Sequence, residues 1–407
     1  MLVILRRWPL LLPALVLLAL FLYMTGPGLG GTSDSVHYLW AAHTLRDTGH
    51  LLDPDGTPYR FWGPLYPMLL AVFFSFGGVR VLHGAALLAQ VVLWARMGRW
   101  LLPPSRLAGL PWLVALSTAV LVPAKFIWAE PVYGALAAAY FYALLAWSRS
   151  GRGGWLAVAT MAGFLLPLQR TSGFFLLAGA GIGILLTGQW RRYWRPLLGH
   201  WVGCAVGGLV WNYYAEMVAG PPVYQAVRGW AALSSSVADY GYVLARWFLP
   251  LAASWLAAWT GLWALALPTL LLLLWPRDNR QTRETELTNT VPIATSNQHL
   301  RLLWWVVVVT LVALLGATNA TRAAAGPHDA ERYSAVLVGP VMLLALASWP
   351  ASKGQSWFRL SRVLLVVLLL YAAGRAGHNA HRLRRYPSVT WPGKGINSQI
   401  IAVPNQK

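Results

Sequence analysis

With 407 residues, 57% of them hydrophobic and only 11% charged, and a mean hydropathy of +0.52, the chain falls outside the soluble globular class, where about 25% of residues are charged. The formal net charge of +20 raises nucleic acid as a partner. The arginines, however, stand in short clusters between apolar runs, where charge-sorted topology and anionic headgroups account for most of them, so no nucleic acid is expected. Long apolar runs without alternation predict an all-α polytopic membrane protein rather than a barrel. The lone Cys204, inside an apolar run, allows no intramolecular disulfide and is expected to pack.

In chain order, residues 8–23 predict the first span. Arg6 and Arg7 before it place the N-terminus in the cytoplasm, and no small-x-small site precedes "MTGPGLG", so a retained helix is expected rather than a cleaved signal. The loop 28–78 then lies outside the plasma (inner) membrane. Within it, the apolar stretch 64–76 is too short to cross a bilayer, which takes about twenty residues, and predicts an interfacial helix. Further spans are expected at 79–94, 107–126, 131–147, 155–168, 173–186, 197–214, 248–275, 302–317, 334–349 and 363–373, about eleven in all. An external loop at 216–246, a cytoplasmic linker at 276–301 and a short external tail at 374–407 complete the chain, so that 1–373 forms one transmembrane domain.

This topology sorts the twelve acids informatively. Asp278, Glu284 and Glu286 fall in the linker and the rest outside, leaving no carboxylate within the bilayer for ion coupling; a coupled transporter is therefore not expected. Asp34 in "GTSDSVHYLW" and Glu130 in "KFIWAEPVYG" sit at outer span ends amid apolar sequence, where partial desolvation suits a carboxylate to act as a base. For both, an interfacial helix-capping acid is the alternative. External Lys125, Arg170, Arg228, Arg246, Arg322, Arg332, Arg375 and "HRLRRY" break the usual sorting. Guanidinium pairs bidentately with phosphoryl oxygens, so an external phosphate or pyrophosphate is one explanation, and pairing with outer acids or surface phospholipid is the other, preferred for "HRLRRY". His37, His43 and His50 do not share a helical face and have no acid completing a close triad, so no metal site is predicted.

Taken in order, Asp34 followed by "YLWAAHTLRDTG", "GPLYPMLLAVF" with Tyr66, "AEP" at Glu130, "QRTSGF" around Arg170 and "ERYSAVLVGP" with Arg332 and Tyr333 carry a resemblance. The chain resembles the C-type integral-membrane glycosyltransferases, in particular the protein O-mannosyltransferase and aminoarabinose-transferase-like group. The resemblance implies transfer of a hexosyl or pentosyl group from a polyprenyl-phosphate donor to a hydroxyl of a lipid, glycan or protein, with inversion, on the outer face. It implies that Asp34 accepts the acceptor's proton, that Glu130 positions hydroxyls or binds a divalent cation, and that Arg170 and Arg332 hold the departing phosphate. Lys125, His37, Tyr66 and Tyr333 are the further substrate-binding candidates. Many relatives pair two acids where "SDS" has one, and Asp is frequent where Glu130 stands, which leaves a divalent cation as the one open cofactor. A polymerase or ligase on lipid-pyrophosphate glycans, and a lipid-linked sugar flippase, are the rival classes. The first would need a larger basic external loop than 216–246, and the second would line a central cavity with its basic residues.

The orientation is testable directly. A cysteine at Gly56 is expected to react with an impermeant maleimide from outside intact cells and one at Thr288 is not; the reverse pattern would invert the whole scheme.

Overall fold

The computed structural model describes residues 10–60, 62–220, 230–252, 254–276, 296–321, 326–349 and 355–389. Arg6, Arg7, Arg228, Arg322, the linker acids and the tail beyond 389 lie outside them. Among the described residues every regular element is helical, and pairing between extended segments is limited to two isolated bridges. Among the described residues six helices are long and apolar enough to cross a membrane: Phe76–Leu101, Pro104–Lys125, Glu130–Ser150, Ser296–Ala320, Gly326–Ser348 and Arg362–Arg384. The shorter apolar helices Leu11–Thr25, Gly153–Gln169, Gly173–Leu186 and Thr260–Leu273, with the long Trp190–Ala219, fall on the remaining expected spans.

Burial sorts these helices into a centre and a periphery. Pro104–Lys125, Glu130–Ser150 and Gly326–Ser348 are enclosed along most of their length, whereas Arg362–Arg384 turns Val363, Val366, Val367 and Leu370 outward. An apolar outer surface of this kind is what lipid requires, because no hydrophobic force penalises exposure to acyl chains. The central helices are also the irregular ones. Pro104–Lys125 breaks at Ser117, and Gly326–Ser348 passes through a 3-10 turn at Ala335–Leu337, where Pro340 cannot donate a helical hydrogen bond back to Val336. Gly339 beside that turn lies under the Trp94 indole, where a Cβ would collide.

Several boundaries differ from expectation. The interfacial helix is Leu65–Val72, not 64–76: it stops at Phe73, and Ser75 accepts from the Gly78 amide (2.9 Å) to start the second span at Phe76. Ser33–Thr48 is a second helix of the first loop; Thr32 and Ser35 form a reciprocal capping box at its start, and Gly49 ends it in the left-handed region (φ 76°). The segment 216–246 is not a loop throughout, since Trp190–Ala219 extends through Glu216 and Trp230–Arg246 is an amphipathic helix that buries Tyr240 and Tyr242. Asp239 on that helix accepts from the Gly326 amide (2.9 Å) and so caps the helix that begins there.

The last helix also outruns its expected span, reaching Arg384 before the chain turns back along the first loop. The Val389 amide donates to the Leu29 carbonyl (2.8 Å) and Ser388 Oγ to Pro27 (3.0 Å), while the Tyr386 ring stands edge-on to Phe126. Within "HRLRRY", Arg384 donates to the Tyr23 carbonyl (3.1 Å) and its guanidinium covers the Tyr23 ring. Lys125, fully buried, donates to the carbonyls of Met24 (3.1 Å) and Gly28 (2.7 Å). Together these cations satisfy the Tyr23 and Met24 carbonyls, which the C-terminus of Leu11–Thr25 leaves without helical partners, and the Gly28 carbonyl just beyond it.

Lys125→Met would strand both of those buried acceptors. It is expected to cost about 2–4 kcal/mol, read as a lowered Tm in detergent. Arg384→Met, at the exposed end, should cost a small fraction of that.

A candidate active site of two carboxylates and two arginines

Four charged side chains from four separate elements meet at the ends of the central helices. Arg332 Nη2 lies 2.6 Å from Asp34 Oδ2. Arg332 Nε and Arg170 Nη1 both bond Glu130 Oε1. The cluster is balanced in charge, and it is graded in depth: the Asp34 side chain is 17% exposed and that of Glu130 only 4%.

Local structure explains how these residues meet. The segment after the first helix zips onto the segment before Glu130: Gly30 donates to the Lys125 carbonyl (2.8 Å) and Ile127 to the Gly30 carbonyl (3.1 Å). Ser35 Oγ donates to the Ile127 carbonyl (3.0 Å), and Trp128 Nε1 to Thr32 Oγ1 (2.8 Å). These bonds bring the start of the Asp34 helix against the start of the Glu130 helix. Gln169 Nε2 donates to the Ala129 carbonyl (3.0 Å), holding the Arg170 turn to the same place. Gly63 lets the first loop rest directly on the Leu168 carbonyl, where a Cβ would not fit. Aromatic faces flank the guanidiniums: Arg332 Cζ lies 4.2 Å from the Trp128 centroid and Arg170 Cζ 5.4 Å from that of Tyr333.

The alternatives left open for these residues can be weighed on this geometry. Capping of the Asp34 helix belongs to Thr32 and Ser35, which leaves the Asp34 carboxylate to Arg332. Arg332 reaches past its neighbour Glu331, which instead holds Arg375 (2.7 Å) and accepts from Thr118 Oγ1 (3.0 Å).

Other candidates lie outside the ion cluster. Lys125 is not brought to it, because its ammonium is held by the backbone carbonyls described above. His37 Nδ1 meets Asp53 Oδ1 (2.8 Å) and ties its helix to the following turn. Tyr66 bonds His83 Nε2 (2.8 Å); His83 Nδ1 faces the Ala124 carbonyl (3.1 Å), which can only accept, so Nδ1 carries the proton and Tyr66 donates. Tyr66 also stands edge-on to Tyr38, whose centroid is 4.9 Å away. Tyr38 and Trp128 border the charges yet are not among the sequence candidates. The available signal for Tyr38 is its spacing of one helical turn from Asp34.

A divalent cation fits this donor set poorly. Arg332 bridges the two carboxylates, where a shared metal ion would otherwise sit, and Arg170 adds a second positive charge against it. Among the described residues no group of three or more His, Cys, Asp or Glu side chains is placed to hold an ion.

No protein-family model matches the chain, and no curated protein matches it by sequence. Solved structures do match. Over 92% of this chain the fold is GT-C-like. The crystal structure of ArnT from Cupriavidus metallidurans bound to undecaprenyl phosphate superposes with a TM-score of 0.61 at 13% identity, covering 76% of that protein. The apo form of ArnT gives 0.59 at the same identity and coverage. At that identity the likeness is one of fold.

Removing the shared carboxylate should damage the protein more than removing the outer one. Glu130→Gln strips Arg170 of its carboxylate and leaves Arg332 with Asp34 alone, so one buried positive charge is uncompensated, and is expected to cost about 3–5 kcal/mol. Asp34→Asn, with its side chain nearer solvent, should lower Tm much less; equal losses would contradict the depth order.

Proposed function

We propose that the protein is a membrane glycosyltransferase that uses a polyprenyl-phosphate-linked sugar and transfers it to a hydroxyl acceptor on the outer face of the inner membrane. The observation that carries this reading is the single cluster in which Arg332 joins Asp34 to Glu130. A phosphate entering it would draw the guanidiniums of Arg332 and Arg170 onto its oxygens, bidentately and in a site of low dielectric. Arg332 would then leave Asp34, whose carboxylate becomes available as a base.

The acceptor hydroxyl gives its proton to Asp34 as its oxygen attacks the anomeric carbon. The bond from that carbon to the phosphate oxygen breaks on the opposite face, and the lipid phosphate departs held by the arginines. One displacement inverts the anomeric centre. No step requires a metal ion.

An apolar groove of about 490 Å³ between Gly153–Gln169 and Trp190–Ala219 supports the lipid half of the reading. Its lining includes Phe164, Leu168, Val206 and Trp211, and Leu168 is two residues from Arg170, so an acyl or prenyl chain in the groove would end beside the cluster. The ArnT fold supports it further, since ArnT itself has been crystallised with undecaprenyl phosphate.

Release of polyprenyl phosphate from a lipid-linked sugar, in proteoliposomes with native envelope lipids as acceptors, tests the reading. Asp34→Asn is expected to lower turnover at least about a hundredfold with donor binding retained. Arg332→Lys keeps the charge but loses the planar fork, and should raise the donor KM markedly. Full activity in both variants would remove the catalytic assignment, and movement of donor across the bilayer without release would mark a flippase.

A further inference from the structure

Tyr38 lies one helical turn beyond Asp34, on the same face of Ser33–Thr48. Its side chain is fully buried, with Tyr66 at 4.9 Å and Trp62 at 5.5 Å between ring centroids, so the ring has no room to swing out. Its hydroxyl nevertheless has no hydrogen-bond partner. One turn from Asp34, the phenol lies within the field of Arg170, Glu130, Asp34 and Arg332. Burial pushes its pKa well above the ordinary tyrosine value, so it remains an O–H donor at any working pH.

A buried hydroxyl without a partner costs about 1–3 kcal/mol, and phenylalanine would fill the same space without that cost. The partner therefore comes from outside the chain, and in a substrate site the ligand supplies it in place of water. A second unpaired atom narrows its chemistry, because Glu130 Oε2 is also buried and without a partner, in the same cluster. A phosphate oxygen could accept from Tyr38 but would be repelled by the carboxylate and has no proton to give it. A hydroxyl group accepts from one and donates to the other.

Tyr59 shares the unpaired buried hydroxyl, but it lies beyond the Asp34 helix, and after burial itself the groups that act on it first are Tyr38 and Asp53. Depth then separates the two hydroxyl-bearing substrates. Asp34, the most exposed of the four charges, faces an incoming acceptor, whereas the sugar is bonded to the phosphate and must lie deeper, beside Arg170 and Arg332. Resting on the glycosyltransferase reading, we infer that Tyr38 and Glu130 Oε2 form a subsite for a ring hydroxyl of the transferred sugar, with Tyr38 a positioning and specificity residue.

The test compares wild type with Tyr38→Phe in detergent, using the change in intrinsic tryptophan fluorescence on titration with undecaprenyl phosphate and with its mannose, glucose and arabinose conjugates. Wild type is expected to bind at least one conjugate more tightly than the bare lipid phosphate. Tyr38→Phe should reduce that advantage about tenfold, the scale of one hydrogen bond in such a site, with bare-phosphate affinity within about twofold of wild type. Its Tm should be unchanged or higher, since a stranded hydroxyl has been removed. Equal weakening for bare and glycosylated lipid would put the phenol on the phosphate and overturn the inference. So would unchanged affinities, whether or not Tm falls, or a wild type with no preference for any conjugate. A wild type that binds none of the lipid phosphates would overturn the proposed function as well.

Discussion

Glu130 is the constraint around which this end of the helix bundle is arranged. A carboxylate so deeply buried is untenable alone, and two guanidiniums that share one of its oxygens would repel each other without it. The three charges are tolerable only together, so the segments that carry them must be held to a common point. Backbone zipping of 30 to 125–127, the bond from Gln169 to the Ala129 carbonyl and the pairing of Glu331 with Arg375 supply that restraint. A buried ion cluster is weak evidence for stability, because an apolar core would be at least as stable. Its presence in a chain this poor in charge is better explained by chemistry than by folding.

On the proposed reading, the same contact that stabilises the ligand-free protein restrains its reactivity. Arg332 cannot hold Asp34 and a phosphate fully at once, so Asp34 gains its basicity only as the phosphate arrives. Water is then not activated in the absence of donor, and the depth order from Asp34 down to Glu130 lets the acceptor reach the base last. Trp128, stacked on Arg332 and bonded to Thr32, links the moving guanidinium to the start of the Asp34 helix.

Much of this was legible in the sequence because charge in apolar surroundings is costly and therefore conspicuous. Asp34, Glu130, Arg170 and Arg332 stand out for that reason, although their mutual pairing does not: local spacing offers Arg332 the adjacent Glu331, and only the tertiary fold sends Glu331 to Arg375. Lys125 is equally conspicuous, yet its role depends on where the first helix ends, which a one-dimensional pattern does not specify. Trp230–Arg246 is hidden for the opposite reason, since its serines and Asp239 give it the composition of a loop while its tyrosines are buried by neighbours distant in the chain. Tyr38 carries no signal of cost at all. An aromatic residue in an aromatic-rich helix looks like packing until its hydroxyl is found without a partner.

The strap at 386–389 has a bearing on how the molecule is made. Ser388 bonds a carbonyl 361 residues earlier in the chain, and Val389 closes on Leu29, within the turn that leads into the Asp34 helix. Ribosomal synthesis delivers Asp34 early and Arg332 late, and it delivers the strap later still. During translation the first helices therefore precede a finished ion cluster, and a nascent chain carries Asp34 and Glu130 without Arg332. Closure of the strap over the first loop therefore follows the arrival of the helix that ends at Arg384, and it locks the turn before Asp34 only after Arg332 has been made.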